Sequence, residues 1–358
     1  PLTGRDPAGP LTGRDPAGPL TGRDPAGPLT GRDPAGPLTG RDAVGAADRL
    51  RRAVAADIAG VLAGAPATPG RIHVGWVAAL DAAACPARYR GGGEEGWGFP
   101  GWSPGTAAGA IGRSALDRHL AEHDRPGPAP PPLPLEAVRA WMRSAATGAE
   151  GVAGWVAERR RDGDAATLAA AAAGAARWLA GFVRVLGWPL PHDLALLNVP
   201  RPGQPAAPAT WRPPGSPGVT VAGGADARLG RVSGAGRFSL VVHRPTGGDD
   251  GGIRRRATVE AAAGALARGI APEAVAVTAG DTGERVRLDV DGGVLAEGGR
   301  MVVEVVRQRV VALDRGFDPG DATPSPGCRR CDHRDRCAPG RAWLAGAARG
   351  PGGLPVLP

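Results

Sequence analysis

The order of helical and strand-like segments along the 358-residue chain predicts an α/β fold, a mixed central sheet flanked by helices and preceded by a disordered repeat tail. Three observations carry this. Residues 1–42 are built from the nonapeptide PLTGRDPAG, repeated four times before the decaying copy PLTGRDAVG begins. The following residues carry apolar side chains at helical spacing, and from about residue 218 strand-like runs alternate with helical ones. Near the end stands CRRCDHRDRC, with three of the chain's four cysteines in ten residues.

A nine-residue period is too short for a helical solenoid unit. Each copy has one Leu, two Pro and two Gly. It buries too little surface to offset the entropy of ordering, which predicts a disordered, neutral tail over 1–42. Glycine does not recur at every third position, so the repeat is not collagen-like. The folded domain is expected over 43–345 and a flexible end over 346–358. Its first helix is AADRLRRAVAADIAGVLAG, stopped at Gly64. A short strand or turn then leads into a helix carrying Cys85, followed by the Gly- and Trp-rich loop GGGEEGWGFPGW and a helix over Ile111–His123. RPGPAPPPLP reads as a stiff internal connector. Leu168, Ala175, Leu179, Phe182 and Leu186 fall on one face of a helix over 165–187, and a second Pro-rich loop spans about 200–217. Strands follow at GVTVAGGADARLG, RFSLVVHR, EAVAVTAG and ERVRLDVD, with the helix TVEAAAGALARG between the second and third. The last long helix, MVVEVVRQRVVALDRG, places Val302, Val306, Val310 and Leu313 on one face.

An apolar content of 42% suffices for a real core, and the formal charge is +8. The tail carries five Arg and five Asp, so the whole excess falls on the remainder and favours polyanionic partners such as nucleic acid. Every basic residue is Arg; the chain has no Lys. No run of 18 uninterrupted apolar residues and no secretory signal is visible, so neither a membrane nor export is expected. Few, clustered cysteines suit a reducing compartment, with the cytoplasm as the default. The chain opens on Pro1 rather than Met, so an incomplete or processed chain is expected.

Cys328, Cys331 and Cys337 follow the spacing Cys-x2-Cys-x5-Cys, and the remaining cysteine is Cys85, far upstream. Thiolates in this number suit zinc or an iron–sulfur cluster. With Cys85 as fourth ligand, the site would clasp the two ends of the domain. Closing so long a loop is worth about 5 kcal/mol by analogy with a disulfide. A local zinc site of Cys328, Cys331, His333 and Cys337 is the alternative.

CPARYR around Cys85, followed much later by the cysteine trio, resembles the iron–sulfur nucleases of the PD-(D/E)XK superfamily, among them AddB-type and RecB-like nuclease domains. GGADARLG resembles the Gly-x-x-Asp of that family, and LVVHRPTGG its strand ending in Asp-x-Lys-Thr-Gly. The resemblance covers roughly residues 70–340 and implies a restriction-endonuclease-like core. It also implies a 4Fe–4S cluster on Cys85, Cys328, Cys331 and Cys337. The family reaction, phosphodiester hydrolysis with Mg or Mn, needs carboxylates and a Lys.

By that resemblance Asp226 stands at the first metal ligand, but the remaining catalytic positions depart. His243 falls where the second acid belongs and Pro245 where the Lys belongs. Sliding by one residue puts Val242 and Arg244 there instead. Glu260 and Gly264 replace the Gln and Tyr of Gln-x-x-x-Tyr, and Leu116 replaces the early His, with His119 one turn away. Asp249 and Asp250 follow the motif in a Gly-rich loop. The expectation is therefore a degenerate nuclease domain, leaning away from catalysis, that binds DNA in repair or recombination or serves as a scaffold. A helicase-type partner is implied by the family, although the chain has no phosphate-binding Gly-x-x-x-x-Gly-Lys loop. Arg254, Arg255 and Arg256, with Arg329, Arg330, Arg334, Arg336 and Arg341 around the cysteines, are the candidate phosphate contacts. Trp97, Phe99 and Trp102 are candidates for base stacking. An active exonuclease using Asp226, with Mg or Mn, and a zinc-stapled structural protein are the competing readings.

Overall fold

The computed structural model of the chain describes residues 38, 41–65, 70–91, 102–122, 133–145, 151–199, 210–231, 237–244, 250–280, 285–315, 317–325, 328, 331 and 333–347. The first four repeats, Trp97, Phe99, most of the two Pro-rich connectors, Pro245, Asp249, Arg329, Arg330 and the expected tail after 347 lie outside them. Helix α1 spans Arg41–Ala63, starting inside the fifth repeat copy and two residues before the boundary expected from sequence. In that copy Ala43 stands where the other four have Pro, which removes a helix obstacle. Ala43 is buried, and its carbonyl accepts the Ala271 N–H at 3.1 Å. Leu38 donates its N–H to the Val290 carbonyl and packs on the core, so the end of the repeat region belongs to the fold.

Strand β1 (Ile72–Val74) leads into α2 (Trp76–Ala84) and α3 (Pro86–Gly91). The sequence pattern predicts Cys85 within a helix. It sits instead at the break between these two, extended at φ −157°, because the residue before a proline is driven out of the helical region. Helices α4 (Pro104–Glu122), α5 (Pro134–Ser144), α6 (Gly151–Arg161) and α7 (Ala165–Leu186) follow. Asp164 caps α7 by accepting the Thr167 N–H at 3.1 Å. Ile111, Val138, Val152, Trp155 and Ala175 form one core among these four helices. By length and composition alone α7 could cross a membrane, yet Ala171, Ala175, Leu179 and Phe182 bury one face of it in the protein.

The larger sheet holds β2 (Leu194–Leu196), then, beyond β3 (Thr210–Trp211) and β4 (Val219–Ala222) in sequence, β5 (Ala227–Gly230) and β6 (Phe238–Arg244). Helix α8 (Asp250–Arg268), β7 (Ala274–Ala279) and β8 (Arg285–Asp289) complete it. The strand order is β2-β5-β6-β7-β8; β2, β5 and β6 are antiparallel, β6 and β7 parallel, and β7 and β8 antiparallel. Parallel neighbours need a crossover, which α8 supplies. A second sheet, β1-β4-β3, pairs β1 parallel and β3 antiparallel to the central β4. The fold is thus mixed α/β, as the sequence predicts.

Helix α9 (Gly292–Arg315) packs on α8 and α1. Val302 and Val306 join Leu240, Val242, Leu266 and Val275 in the main core. Val310 stays buried, whereas Leu313, expected on the same face, is exposed beyond the end of the packing surface. The chain then makes short 3-10 turns at Pro319–Asp321 and Arg334–Arg336 before α10 (Ala338–Ala347).

Candidate functional site

Strand pairing, two helices and one charged pair assemble a buried ionic cluster at Asp226. The β5–β6 register sets Ala227 opposite Val241, so Asp226 at the mouth of β5 lies opposite Val242, one residue from His243 on β6. The Asp226 side chain is buried, and its Oδ2 accepts the His243 backbone N–H at 2.7 Å. Its Oδ1 pairs with the Arg113 guanidinium from α4. The carboxylate is therefore occupied by a cation of the protein itself and by one backbone donor.

His243 is a core residue. The β6–β7 register places it beside Thr278, whose hydroxyl lies 2.8 Å from Nδ1. Trp178 and Phe182 of α7 meet the ring edge-on at 5.3 and 5.6 Å. Its Nε2 is buried without a hydrogen-bond partner, wedged between two glycines: a Cβ on Gly181 would stand 3.0 Å from it and one on Gly280 3.1 Å. Burial lowers its pKa to about 4 against the opposing pull of Asp226, so the ring is neutral at pH 7.

Glu260, on α8, is fully enclosed. Its Oε2 accepts the Gly224 N–H at 2.8 Å, while Oε1 has no hydrogen-bond partner. Burial raises its pKa to about 7, although Arg256 and the Gly224 N–H favour the charged form. Gly224 has no room for a side chain: a Cβ there would be 2.6 Å from the Trp76 ring and 2.9 Å from Glu260 Oε1. That is a packing reason for the Gly-Gly before Asp226.

Arg256 separates from its two neighbours, because successive helical residues point about 100° apart. Arg254 and Arg255 are exposed, whereas Arg256 turns inward and lies over the Trp76 ring, 3.9 Å from its centroid. Burial lowers the pKa of Arg256 while Asp226 and Glu260 oppose the shift, and Arg244 and Arg113 lower it further. Three guanidiniums, Arg113, Arg244 and Arg256, thus share a field with one carboxylate and one carboxyl that titrates near neutrality. Sequence reasoning placed Glu260 only as a departure from a motif and missed Arg113 altogether. The one local signal for Arg113 is its place beside Gly112, where α4 presses on Trp178. Leu116 is wholly buried, and the His119 ring centroid lies 6.0 Å from that of Trp188.

At the other end of the domain the four thiols are free. Cys328 Sγ accepts the Ser325 N–H and Cys337 Sγ the Gly340 N–H, each at 3.4 Å. Both sulfurs converge on Gly340, where an added Cβ would stand 3.2 Å from Cys337 Sγ and 3.6 Å from Cys328 Sγ. Thiolate sulfur is the donor form for soft metals. Among the described residues, no three His, Cys, Asp or Glu side chains are gathered closely enough to hold a metal ion. The Pro319–Asp321 turn links the two regions, touching α3, which follows Cys85, and α10, which follows Cys337. Arg90 of α3, one turn past Cys85, is buried and pairs with Asp321, and that turn packs on α10. Tyr89 is buried beside it, its hydroxyl pushed up to about 12 by burial.

His333 is engaged differently. Its ring lies 4.7 Å from Phe317, and Arg336 donates to its Nδ1 at 2.7 Å, with the guanidinium also over Phe317. A neutral imidazole accepting at Nδ1 carries its proton on Nε2 and has no lone pair left for zinc. Arg334, Arg336 and Arg341 are exposed around this segment, and Trp102 is half-buried against the α4–α7 core. No protein-family model matches the chain, and no curated protein matches it.

Proposed function

We propose that the chain is a catalytically degenerate nuclease-like protein that binds DNA without hydrolysing it, with a cysteine-held cluster joining the ends of its domain. The observation that carries this reading is the occupation of Asp226. A carboxylate suited to a divalent cation instead binds Arg113 and the His243 N–H, both inside a buried site. The second acid position holds a neutral, enclosed His, and Pro245 stands where the resemblance calls for Lys. Three guanidiniums against Asp226 and a partly protonated Glu260 leave local charge positive, which attracts phosphate rather than a metal ion. Arg254 and Arg255 extend that charge outward on the first turns of α8.

The strand pattern supports a restriction-endonuclease-like core: an antiparallel run β2-β5-β6, then the α8 crossover to parallel β7. Cys85, Cys328, Cys331 and Cys337 have the donor chemistry to hold an iron–sulfur cluster, whose part would be to staple α3 to the C-terminal segment. The engagement of His333 Nδ1 by Arg336 weighs against the three-Cys, one-His zinc alternative.

The test pairs a cleavage assay with a binding assay on one preparation. Single- and double-stranded DNA are incubated with the protein and Mg or Mn, and binding is followed by anisotropy across a salt series. The expected result is no cleavage, with affinity that falls as salt rises and falls further in Arg254→Gln/Arg255→Gln. Metal-dependent cleavage abolished by Asp226→Ala would sink the reading, as would DNA affinity insensitive to salt. Metal analysis of anaerobically purified protein tests the cluster separately: iron lost in Cys85→Ser supports it, and zinc retained in that variant refutes it.

A further inference from the structure

The small sheet carries a second site, on strands that bear no carboxylate of their own. In the parallel β1–β4 register His73 pairs with Thr220, and in the antiparallel β3–β4 register Trp211 pairs with Val221. Extending that register one residue past the end of β3 brings Arg212 toward Thr220, and both line one cleft. His73 and Thr220 therefore pair across two strands, with Arg212 just beyond the third. Ile72, Val74, Val219 and Val221 point into the core and Trp211 packs on it. Strand alternation then sends His73 and Thr220, and Arg71 two residues before His73, to the opposite face. There Arg71, His73, Arg212, Gly218 and Thr220 line an open cleft of about 340 Å³, at the small end of the range for ligand pockets.

Its charge is one-sided. Arg71 and Arg212 are exposed, and neither has a carboxylate partner among the described residues. The chain has no Asp or Glu between Asp57 and Asp81, or between Asp193 and Asp226, so the strands and their adjoining loops bring no acid to the cleft. Two unpaired guanidiniums on one small concave face repel each other and gain from an anion that bridges them. A tetrahedral oxyanion suits guanidinium forks, and a hydroxyl and an imidazole add hydrogen bonds. Burial lowers the pKa of His73, so at neutral pH the ring contributes one donor and one acceptor rather than a charge.

We propose that the outer face of the β1-β4-β3 sheet is a phosphate-binding site, in which Arg71 and Arg212 clasp a phosphate group and Thr220 and His73 orient it. The site stands on its own geometry and does not depend on the reading of Asp226. The phosphate can belong to a small phosphorylated molecule or to a nucleic-acid strand, and the test separates the two.

The full chain is titrated calorimetrically with inorganic phosphate and with a 5′-mononucleotide, and by anisotropy with a short oligodeoxynucleotide. The same measurements are made on Arg212→Gln, Arg71→Gln/Arg212→Gln and the control Arg254→Gln/Arg255→Gln. All four substituted side chains are exposed, and unchanged melting confirms that each variant folds. The expected result is binding weakened about tenfold by Arg212→Gln and abolished in the Arg71/Arg212 double variant. Loss of phosphate and mononucleotide binding alone assigns a small phosphorylated ligand. Loss of oligonucleotide affinity alone, with a salt slope smaller by about 0.7 per lost contact, assigns a strand phosphate. Unchanged binding of every probe in the double variant overturns the proposal, as does failure of the parent protein to bind any of them. A deficit confined to Arg254→Gln/Arg255→Gln also overturns it, while leaving the DNA-binding reading of the Asp226 face intact.

Discussion

Glu260→Gln removes a titrating proton from the core while keeping the shape of the side chain. A Gln carbonyl oxygen reproduces the bond that Oε2 accepts from the Gly224 N–H, and the Glu260 Oε1 left unpartnered in the parent has no bond to lose. Burial raises the Glu260 pKa from 4.5 to about 7. Between those values the folded protein holds a proton that the unfolded chain releases, so stability falls as pH rises through the window. The loss is complete above about pH 7 and amounts to about 3 kcal/mol, since each tenfold change in proton affinity is worth about 1.4 kcal/mol. The variant has no such step. Its advantage over the parent is small near pH 4.5 and should grow to about 3 kcal/mol at about pH 8.

His243 makes the comparison sharper because its sign is opposite. Its pKa falls from 6.5 to about 4, so the folded state refuses a proton that the unfolded chain accepts. That contribution is present above 6.5 and is lost as pH falls through about 4. In the parent the two slopes oppose each other between 4.5 and 6.5 and nearly cancel. In Glu260→Gln the rise due to His243 stands uncovered, and stability should climb with pH through that interval. Urea unfolding at a series of pH values, with the denaturant slope checked for constancy, reads both effects. A stability difference between variant and parent that stays constant across the series would show that Glu260 titrates as a solvated carboxyl, and the account of the buried cluster would fail with it.

Three further changes test neighbouring parts. Asp226→Ala leaves the mostly buried Arg113 guanidinium unpaired and should cost about 3 kcal/mol in chemical unfolding, while the double variant with Arg113→Ala costs less than the sum of the two single changes. Gly181→Ala sets a Cβ 2.7 Å from the Gly280 Cα and 3.0 Å from His243 Nε2, so it should lower stability by about 2 kcal/mol and depress the melting temperature. Gly340→Ala crowds the Cys337 and Cys328 sulfurs and should reduce the metal content of anaerobically purified protein, whereas Gly346→Ala, with nothing near its added Cβ, should leave it unchanged.

Long apolar periodicities are legible in the sequence: α7 and strands β6, β7 and β8 stand close to where their patterns put them, whereas α9 starts at Gly292, nine residues before the expected Met301. Helices α5 and α6 are not, because Ala and Gly at so many positions blunt the contrast between faces, and both begin beside segments rich in Pro or Gly. The break at Cys85 is legible in principle from Pro86. At the site, Asp226 and His243 are singled out only through the resemblance to a family motif. What it cannot supply is the partner of Asp226, since Arg113 lies 113 residues away and its one local mark is the Gly112 beside it. The Arg254–Arg256 run shows the same limit at short range. Three identical letters conceal one inward and two outward side chains, and only the packing of α8 on Trp76 decides which is which.

The absence of Lys gives the cluster its direction. An Arg beside a carboxylate neutralises it at every working pH and never hands a proton on, whereas a Lys can do both. Among the described groups around Asp226, His243 is neutral at pH 7 and walled in by Gly181 and Gly280, and Glu260 titrates near neutrality but has no exposed surface. No side chain there combines access with a proton to exchange, so the arrangement favours holding an anion over activating water. On the proposed reading, then, the loss of catalysis and the gain of anion affinity follow from one change, the seating of Arg113 on Asp226. The pair can be separated experimentally: Arg113→Gln should weaken DNA binding and free the Asp226 carboxylate to take up a divalent cation.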